Sequence, residues 1–103
     1  MAEPRPLPIA CSLGAADLAV RRSEIGALGR DGLLRAAIDG PRAVLVFRVE
    51  VRGRVEAVAA AEAECCAFLA MSVHEAGAGE IELRIEGPPD AEPVVRELAA
   101  AFG

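Results

Sequence analysis

The sequence predicts an α+β fold. We expect a two-layer sandwich of ferredoxin-like character, with an antiparallel sheet of four to five strands and about three helices on one face. Two segments, "LLRAAIDGPRAVLVFRVEVRG" and "FLAMSVHEAGAGEIELRIEGP", share the order strand, glycine-containing turn, strand. Each follows a stretch with helical spacing, and a third such stretch closes the chain. The likeness indicates a weak internal repeat, although unrelated hairpins share the same pattern.

The length of 103 residues indicates one domain. Residues 1–8 contain three prolines and predict an extended tail, so the domain comprises residues 9–103. "PIACSL" predicts a short first strand that ends near Ser12. Apolar residues at helical spacing predict a helix over residues 14–28, with Ile25 and Leu28 on its inner face. "GRDG", at residues 29–32, is expected to end this helix.

The first hairpin is predicted from "LLRAAI" and the β-branched run at residues 43–51, with "DGPR" as its turn. Side chains alternate across a strand, so one set of this run should face the core: Leu45, Phe47, Val49 and Val51. Val44 and Val46 fall on the opposite face. An exposed apolar patch there would mark an interface, and we therefore expect a homodimer. Gly53 is expected to end the hairpin.

The second half repeats this plan. A helix is predicted over residues 54–66, followed by strands at "FLAMSV" and "EIELRIE" around the turn "EAGAG". In the last strand, Ile81, Leu83 and Ile85 should face the core. Asp90 is the expected N-cap of the closing helix, and Pro93 fits its first turn. That helix should run to about Phe102, with an apolar stripe of Val94, Val95, Leu98 and Phe102.

Composition excludes several classes of function. The net charge is -5, every basic residue is Arg, and the chain has no Trp or Tyr. Nucleic-acid binding is therefore not expected, because both the basic surface and most of the stacking side chains are missing. No apolar run approaches the ~20 residues of a membrane span. The first residues do not resemble a secretory signal, so a cytoplasmic protein with reduced thiols is expected.

The cysteines carry most of the functional information. Cys65 and Cys66 are adjacent, and Cys11 is the only other cysteine. Adjacent Cα atoms lie ~3.8 Å apart, below the usual disulfide window of ~4.4–6.8 Å, so free thiols are expected. On a helix the pair shares a stripe with Glu62, which interrupts an otherwise apolar face one turn earlier. "E-x-x-C-C" therefore brings one carboxylate and two sulfurs together.

Two adjacent thiols suit a soft metal or metalloid ion. With Cys11 as a third ligand they would form a trigonal sulfur site for a mercuric or arsenite-type ion. Glu62 as a fourth ligand would suit Zn²⁺, and it could also act as an acid behind the ligands. Cys11 precedes a predicted helix N-terminus, which favours its thiolate.

Other interpretations stay open. Cysteine often acts as a small buried hydrophobe, so the chain could be a structural or homodimeric interaction domain that binds no metal. A thiol redox enzyme is least favoured, because the chain has no C-x-x-C motif and no evident base beside the thiols. His74, the sole histidine, is expected to be a surface or hairpin residue. No P-loop or dinucleotide motif is present.

The pattern resembles a family of small bacterial domains. Members share an early Cys, a helix, the motif E-x-x-C-C-P-F, a hairpin and a closing helix after a "PP" turn. The matching residues here are Cys11, Glu62, Cys65, Cys66, Phe68, Pro88 and Pro89. Ala67 stands where the family usually has Pro. The resemblance spans most of the chain and implies thiol chemistry of the soft-metal type, such as mercury handling.

Overall fold

The structure is a computed structural model that describes residues 15–65 and 68–103, with side chains described over residues 20–64 and 68–103. The helices are α1 (Ala15–Gly32), α2 (Arg52–Cys65) and α3 (Glu92–Phe102). The strands are β1 (Leu33–Asp39), β2 (Arg42–Arg48), β3 (Ala70–Gly77) and β4 (Glu80–Glu86). Short 3₁₀ turns at Val49–Val51 and Pro89–Ala91 lead into α2 and α3.

The four described strands form one antiparallel sheet in the order β1-β2-β4-β3. Each hairpin contributes its second strand to the centre, where Leu45 lies opposite Leu83. Two-residue loops close both hairpins, with Gly40 at φ +59° and Gly79 at φ +76°. Glycine suits both places because other residues adopt positive φ at a cost. The predicted α+β sandwich with an antiparallel sheet is confirmed.

The helices cover one face of the sheet, and one apolar core lies between the two layers. Phe47 in β2 and Phe102 in α3 meet edge to face, with ring centroids 5.5 Å apart. The inward residues of β4 are buried as predicted, and so is the whole predicted stripe of α3. These buried residues are Ile81, Leu83, Ile85, Val94, Val95, Leu98 and Phe102.

The first helix is longer than predicted because its glycines serve close packing. A Cβ at Gly29 would lie 1.4 Å from the carbonyl oxygen of Phe102, and one at Gly32 would lie 2.5 Å from Val51 Cγ2. Gly29 and Gly32 lie close to these neighbouring residues, and the helix continues through "GRDG". The helix ends at Gly32, the last residue of this segment, so the predicted end at Leu28 is four residues too early, since tertiary packing outweighs the low helix propensity of glycine.

Three further boundaries differ from the prediction. β2 ends at Arg48, so the chain turns into a 3₁₀ segment in which Val51 is buried but Val49 is 40% exposed. Gly53 lies in the first turn of α2 and does not end a hairpin. Asp90 lies within the second 3₁₀ turn, and Ala91 occupies the N-cap position of α3. Pro93 lies in the first turn of α3, as predicted.

The outer face of the sheet is polar. Val46 is only 5% exposed within the single chain, and the strand register places Arg35 and Glu82 on either side of it. Ion pairs cover much of the remaining face, including Arg35–Glu80 and Arg84–Glu82. The charged neighbours therefore largely cover the apolar patch that was expected around Val44 and Val46. Dimerisation through this patch stays a prediction.

The predicted tail, residues 1–8, and the short first strand predicted to end near Ser12 lie outside the described residues. Among the helices of the described residues, none combines the length and the apolar character that crossing a bilayer requires.

Candidate functional site

Helices α1 and α2 run antiparallel, and two ion pairs show it. Near the start of α1, Arg21 Nη1 lies 2.6 Å from Glu62 Oε2 near the end of α2. At the other end, Arg54 Nη1 lies 2.9 Å from Asp31 Oδ2. The beginning of α1 and the end of α2 therefore lie at the same end of the helical layer. We call this region, held by the Arg21–Glu62 pair, the charged end.

The Arg21–Glu62 pair is partly buried. The side chain of Glu62 is 4% exposed and that of Arg21 is 19% exposed. Among the described residues, Glu62 is the single charged residue classed as buried. Its 2.6 Å contact is short even for a charge-assisted hydrogen bond, so the carboxylate has a strong partner inside the fold. No buried side-chain nitrogen or oxygen of the described residues lacks a hydrogen-bond partner.

The inward stripe of α2 agrees with the prediction as far as side chains are described. Val55, Ala59 and Glu62 are buried, Val58 is half-buried, and Leu69 after the helix is 4% exposed. Cys65 is the last residue of α2 and lies one turn beyond Glu62, about 4.5 Å along the helix axis. The Glu62 carboxylate thus points inward, from a position one turn before the first of the adjacent cysteines.

The segment after α2 meets the turn that precedes α3. Phe68 is 41% exposed and lines a shallow pocket of about 230 Å³ together with Pro88, Asp90 and Ala91. Beneath it the packing is tight, because a Cβ at Gly87 would lie 2.9 Å from both Ala91 Cβ and Leu69 Cδ2. Two parts of the motif described above, the Phe after the cysteine pair and the "PP" turn, are therefore neighbours in space.

The predicted ligands are described only in part. Cys11 and Cys66 lie outside the described residues, as does the side chain of Cys65. Within the described part of the chain, no three residues of the types His, Cys, Asp and Glu cluster closely enough to hold a metal ion. Arg21 contacts Oε2 of Glu62, and a carboxylate has a second oxygen that can bind a metal ion. Both predicted roles of Glu62, as a fourth ligand and as an acid behind the ligands, therefore stay predictions.

His74 lies in β3 on the outer face of the sheet, opposite Glu82, and its Nε2 is 2.8 Å from Ser72 Oγ. The neighbouring residue Val73 faces the core and the helices. His74 therefore lies on the opposite face of the sheet from α2. Its predicted role as a surface or hairpin residue agrees with this place.

Arg21 was not singled out by the sequence, although a signal for it exists. It precedes Ile25 by four residues and Leu28 by seven, and both of those side chains are buried. A residue at this spacing falls on the inner face of the helix. An inward Arg on one helix and an inward Glu on the next would together have predicted the pair, since buried charges need partners.

No family model, no curated protein and no solved structure matches the chain. The functional assignment must therefore come from the residues and their arrangement.

Proposed function

We propose that this chain is a thiol-based binding domain for a soft metal or metalloid ion of the mercuric, arsenite or zinc type. Cys65 and Cys66 are the primary ligands and Cys11 is the third. Glu62 acts from behind the ligands through its contact with Arg21, as one of the two roles open to it from the sequence. The observation that carries the proposal is the partly buried Arg21–Glu62 pair, one turn before the adjacent cysteines.

A buried ion pair is weak evidence of a purely stabilising role. Desolvating two charges costs several kcal/mol, and replacing such a pair by apolar side chains is often neutral or stabilising. Every other residue classed as buried among the described side chains is apolar or small, so an apolar pair would suit this core. Arg21 favours an ionised thiol near the end of α2 because it is a cation, and its pairing with Glu62 offsets part of that effect.

The topology supports Cys11 as the third ligand. From the Arg21–Glu62 contact, the start of α1 lies about 9 Å away along its axis, and the end of α2 lies about 4.5 Å away in the same direction. Cys11 precedes Ala15 by four residues, a span of at most ~14 Å. The chain can therefore bring all three sulfurs to the charged end without crossing the core.

One observation favours the alternative of a structural domain with buried cysteines. The same ion pair joins α1 to α2, and it would hold the two helices together whether or not a metal binds. Under this alternative, serine substitutions lower stability by burying a hydroxyl, roughly 1–3 kcal/mol, and no metal raises the melting temperature.

The test compares metal affinity and melting temperature in reduced protein. Wild type is equilibrated separately with Hg²⁺, Zn²⁺ and arsenite, and each complex is weighed by native mass spectrometry and titrated against a competing chelator or dithiol. Cys65→Ser and Cys66→Ser should each weaken binding by at least roughly tenfold. Cys11→Ser should also weaken it, whereas Ala63→Ser, an exposed change on the same helix that removes no thiol, should not.

The role of Glu62 is tested in the same titration. Glu62→Gln should reduce affinity less than either serine variant, because it alters the surroundings of the ligands and not the ligands themselves. Glu56→Gln is the matched control, since Glu56 is an exposed residue of the same helix that pairs with Arg52 at 2.9 Å. Serine variants that melt earlier, with no metal-dependent stabilisation of wild type, would leave the structural domain as the answer.

A further inference from the structure

In the described part of the chain, the outer edge of β1 is unpaired, and it carries exposed apolar side chains. Among the described residues, β1 pairs only with β2, and six of its seven residues are exposed. Ile38, which lies on the core face opposite Ala43, is 44% exposed, and Leu34 is 42% exposed. The strand contains no proline. An exposed edge of this kind is a template for pairing with another strand.

The other edge strand is guarded. In β3, Glu75 lies on the core face opposite Ile81, and the register shifts between Glu75 and Gly77. Glu75 is 83% exposed and pairs with Arg52 at 3.5 Å. A charge on the core face of an edge strand and a bulge are both devices that keep edge strands from pairing. The irregularity in β1 falls between Leu33 and Arg35 and leaves residues 35–39 in regular register. The two edges of the sheet therefore differ in their capacity to bind a further strand.

The hairpin determines which backbone groups of β1 are free. Asp39 and Arg42 flank a two-residue loop and so form a hydrogen-bonded pair. Such pairs alternate with non-bonded ones, so Arg35 and Ala37 also bond to β2. Ala36 and Ile38 then direct their N–H and C=O groups away from the sheet.

The charges of β1 select one occupant and one register. An antiparallel copy of the same strand can pair through its own Ala36 and Ile38, and the twofold axis must then pass through Ala36, Ala37 or Ile38. Only the axis at Ala37 places Arg35 directly opposite the partner's Asp39, twice by symmetry. That pair is a non-hydrogen-bonded one, in which side chains approach more closely. Ile38 would in turn be covered by the partner's Ala36.

We propose that two copies of this chain associate through antiparallel β1 edges, with Ala37 on the twofold axis, to form a continuous eight-stranded sheet. The interface is distinct from the Val44–Val46 face and from the charged end. Asp39 is exposed and has no ion pair among the described residues, so it is available to the partner. Arg35, already 2.9 Å from Glu80, would lie between two carboxylates.

The experiment uses complementary charge variants of the full chain. Asp39→Arg places two arginines opposite each other at both ends of the interface, and Arg35→Glu places two acids there. Each variant alone should self-associate about tenfold more weakly than wild type in sedimentation equilibrium. Mixed in equal amounts, the two variants regain both opposite-charge pairs, and native mass spectrometry should show the heterodimer dominating over either homodimer.

Asp90→Arg is the matched control, because Asp90 is exposed, belongs to the 3₁₀ turn before α3 and not to β1, and gives the same change in net charge. It should dimerise like wild type. A wild type that stays monomeric into the high micromolar range would overturn the proposal. A dimer that ignores both charge variants, or a mixture without preference for the heterodimer, would also overturn it. Metal affinity takes no part in this readout, so the result is independent of the proposed thiol site.

Discussion

The inward surfaces of α2 and α3 differ sharply, although both helices cover the same sheet. α3 buries two valines, a leucine and Phe102, which packs against Phe47. α2 buries smaller side chains, Val55 and Ala59, and then the carboxylate of Glu62. The inward surface of α3 is wholly apolar, whereas that of α2 has smaller apolar side chains and one carboxylate. The comparison teaches that α3 contributes more apolar burial to this core than α2, and that a charge at the end of α2 is compatible with the fold.

The largest effect should come from the α3 side. Phe102→Ala removes a ring that is 2% exposed and leaves a cavity beside Phe47, so we expect a loss of about 3–5 kcal/mol in the free energy of unfolding. Chemical denaturation followed by circular dichroism measures it. Val49→Ala is the control, because that side chain is 40% exposed and its truncation should change stability by no more than about 0.5 kcal/mol. Similar losses for both variants would contradict the assignment of the core to α3.

The charged end offers a sharper test through paired substitutions. Glu62→Leu alone removes the carboxylate that contacts Arg21 and should destabilise the protein by about 3 kcal/mol, the low end for a broken buried pair, because Arg21 keeps some solvent contact and other interactions. Adding Arg21→Met should recover most of this loss, since an apolar pair of similar volume fits an apolar core. Glu56→Gln, at an exposed pair, should change stability by about 0.5 kcal/mol or less.

Recovery in the double variant would show that the charges are dispensable for folding, which leaves room for a functional reason to keep them. If the double variant is as unstable as Glu62→Leu alone, the pair stabilises the fold through its geometry. Both α2 and α3 would then stabilise the fold, α2 through an ion pair and α3 through apolar contacts. This result would support the structural alternative.

Sequence reasoning reached the alternating strands and the stripe of α3, because period and composition are local signals. It also placed Glu62 on the inward stripe of α2. It missed the helical continuation through "GRDG", which depends on what Gly29 and Gly32 contact across the fold, and it placed the start of α2 two residues late. It missed Arg21 for a related reason, since only the antiparallel packing of α1 on α2 shows which inward arginine meets Glu62. Strand order was likewise beyond local signals.

The smallest of the effects separates two glycines of α1. In an ordinary helix, replacing Gly by Ala gains up to about 1 kcal/mol, because alanine loses less backbone entropy on folding. Gly29 should behave in the opposite way. Its added Cβ would lie 1.4 Å from the Phe102 carbonyl oxygen, which is backbone and cannot swing aside. Gly29→Ala should therefore destabilise the protein by about 1–3 kcal/mol through forced separation of α1 from α3.

Gly26, one turn earlier, is the matched position in the same helix. A Cβ there would lie 3.6 Å from Arg30 Nη1 and 3.8 Å from the Ala101 carbonyl oxygen, which are ordinary contact distances. Gly26→Ala should therefore raise the free energy of unfolding, by at most about 1 kcal/mol. Denaturant titrations of both variants, read with wild type at one temperature, supply the comparison. If both substitutions raise the free energy of unfolding, the close contact between α1 and α3 at Gly29 is contradicted, and the two helices pack less tightly there.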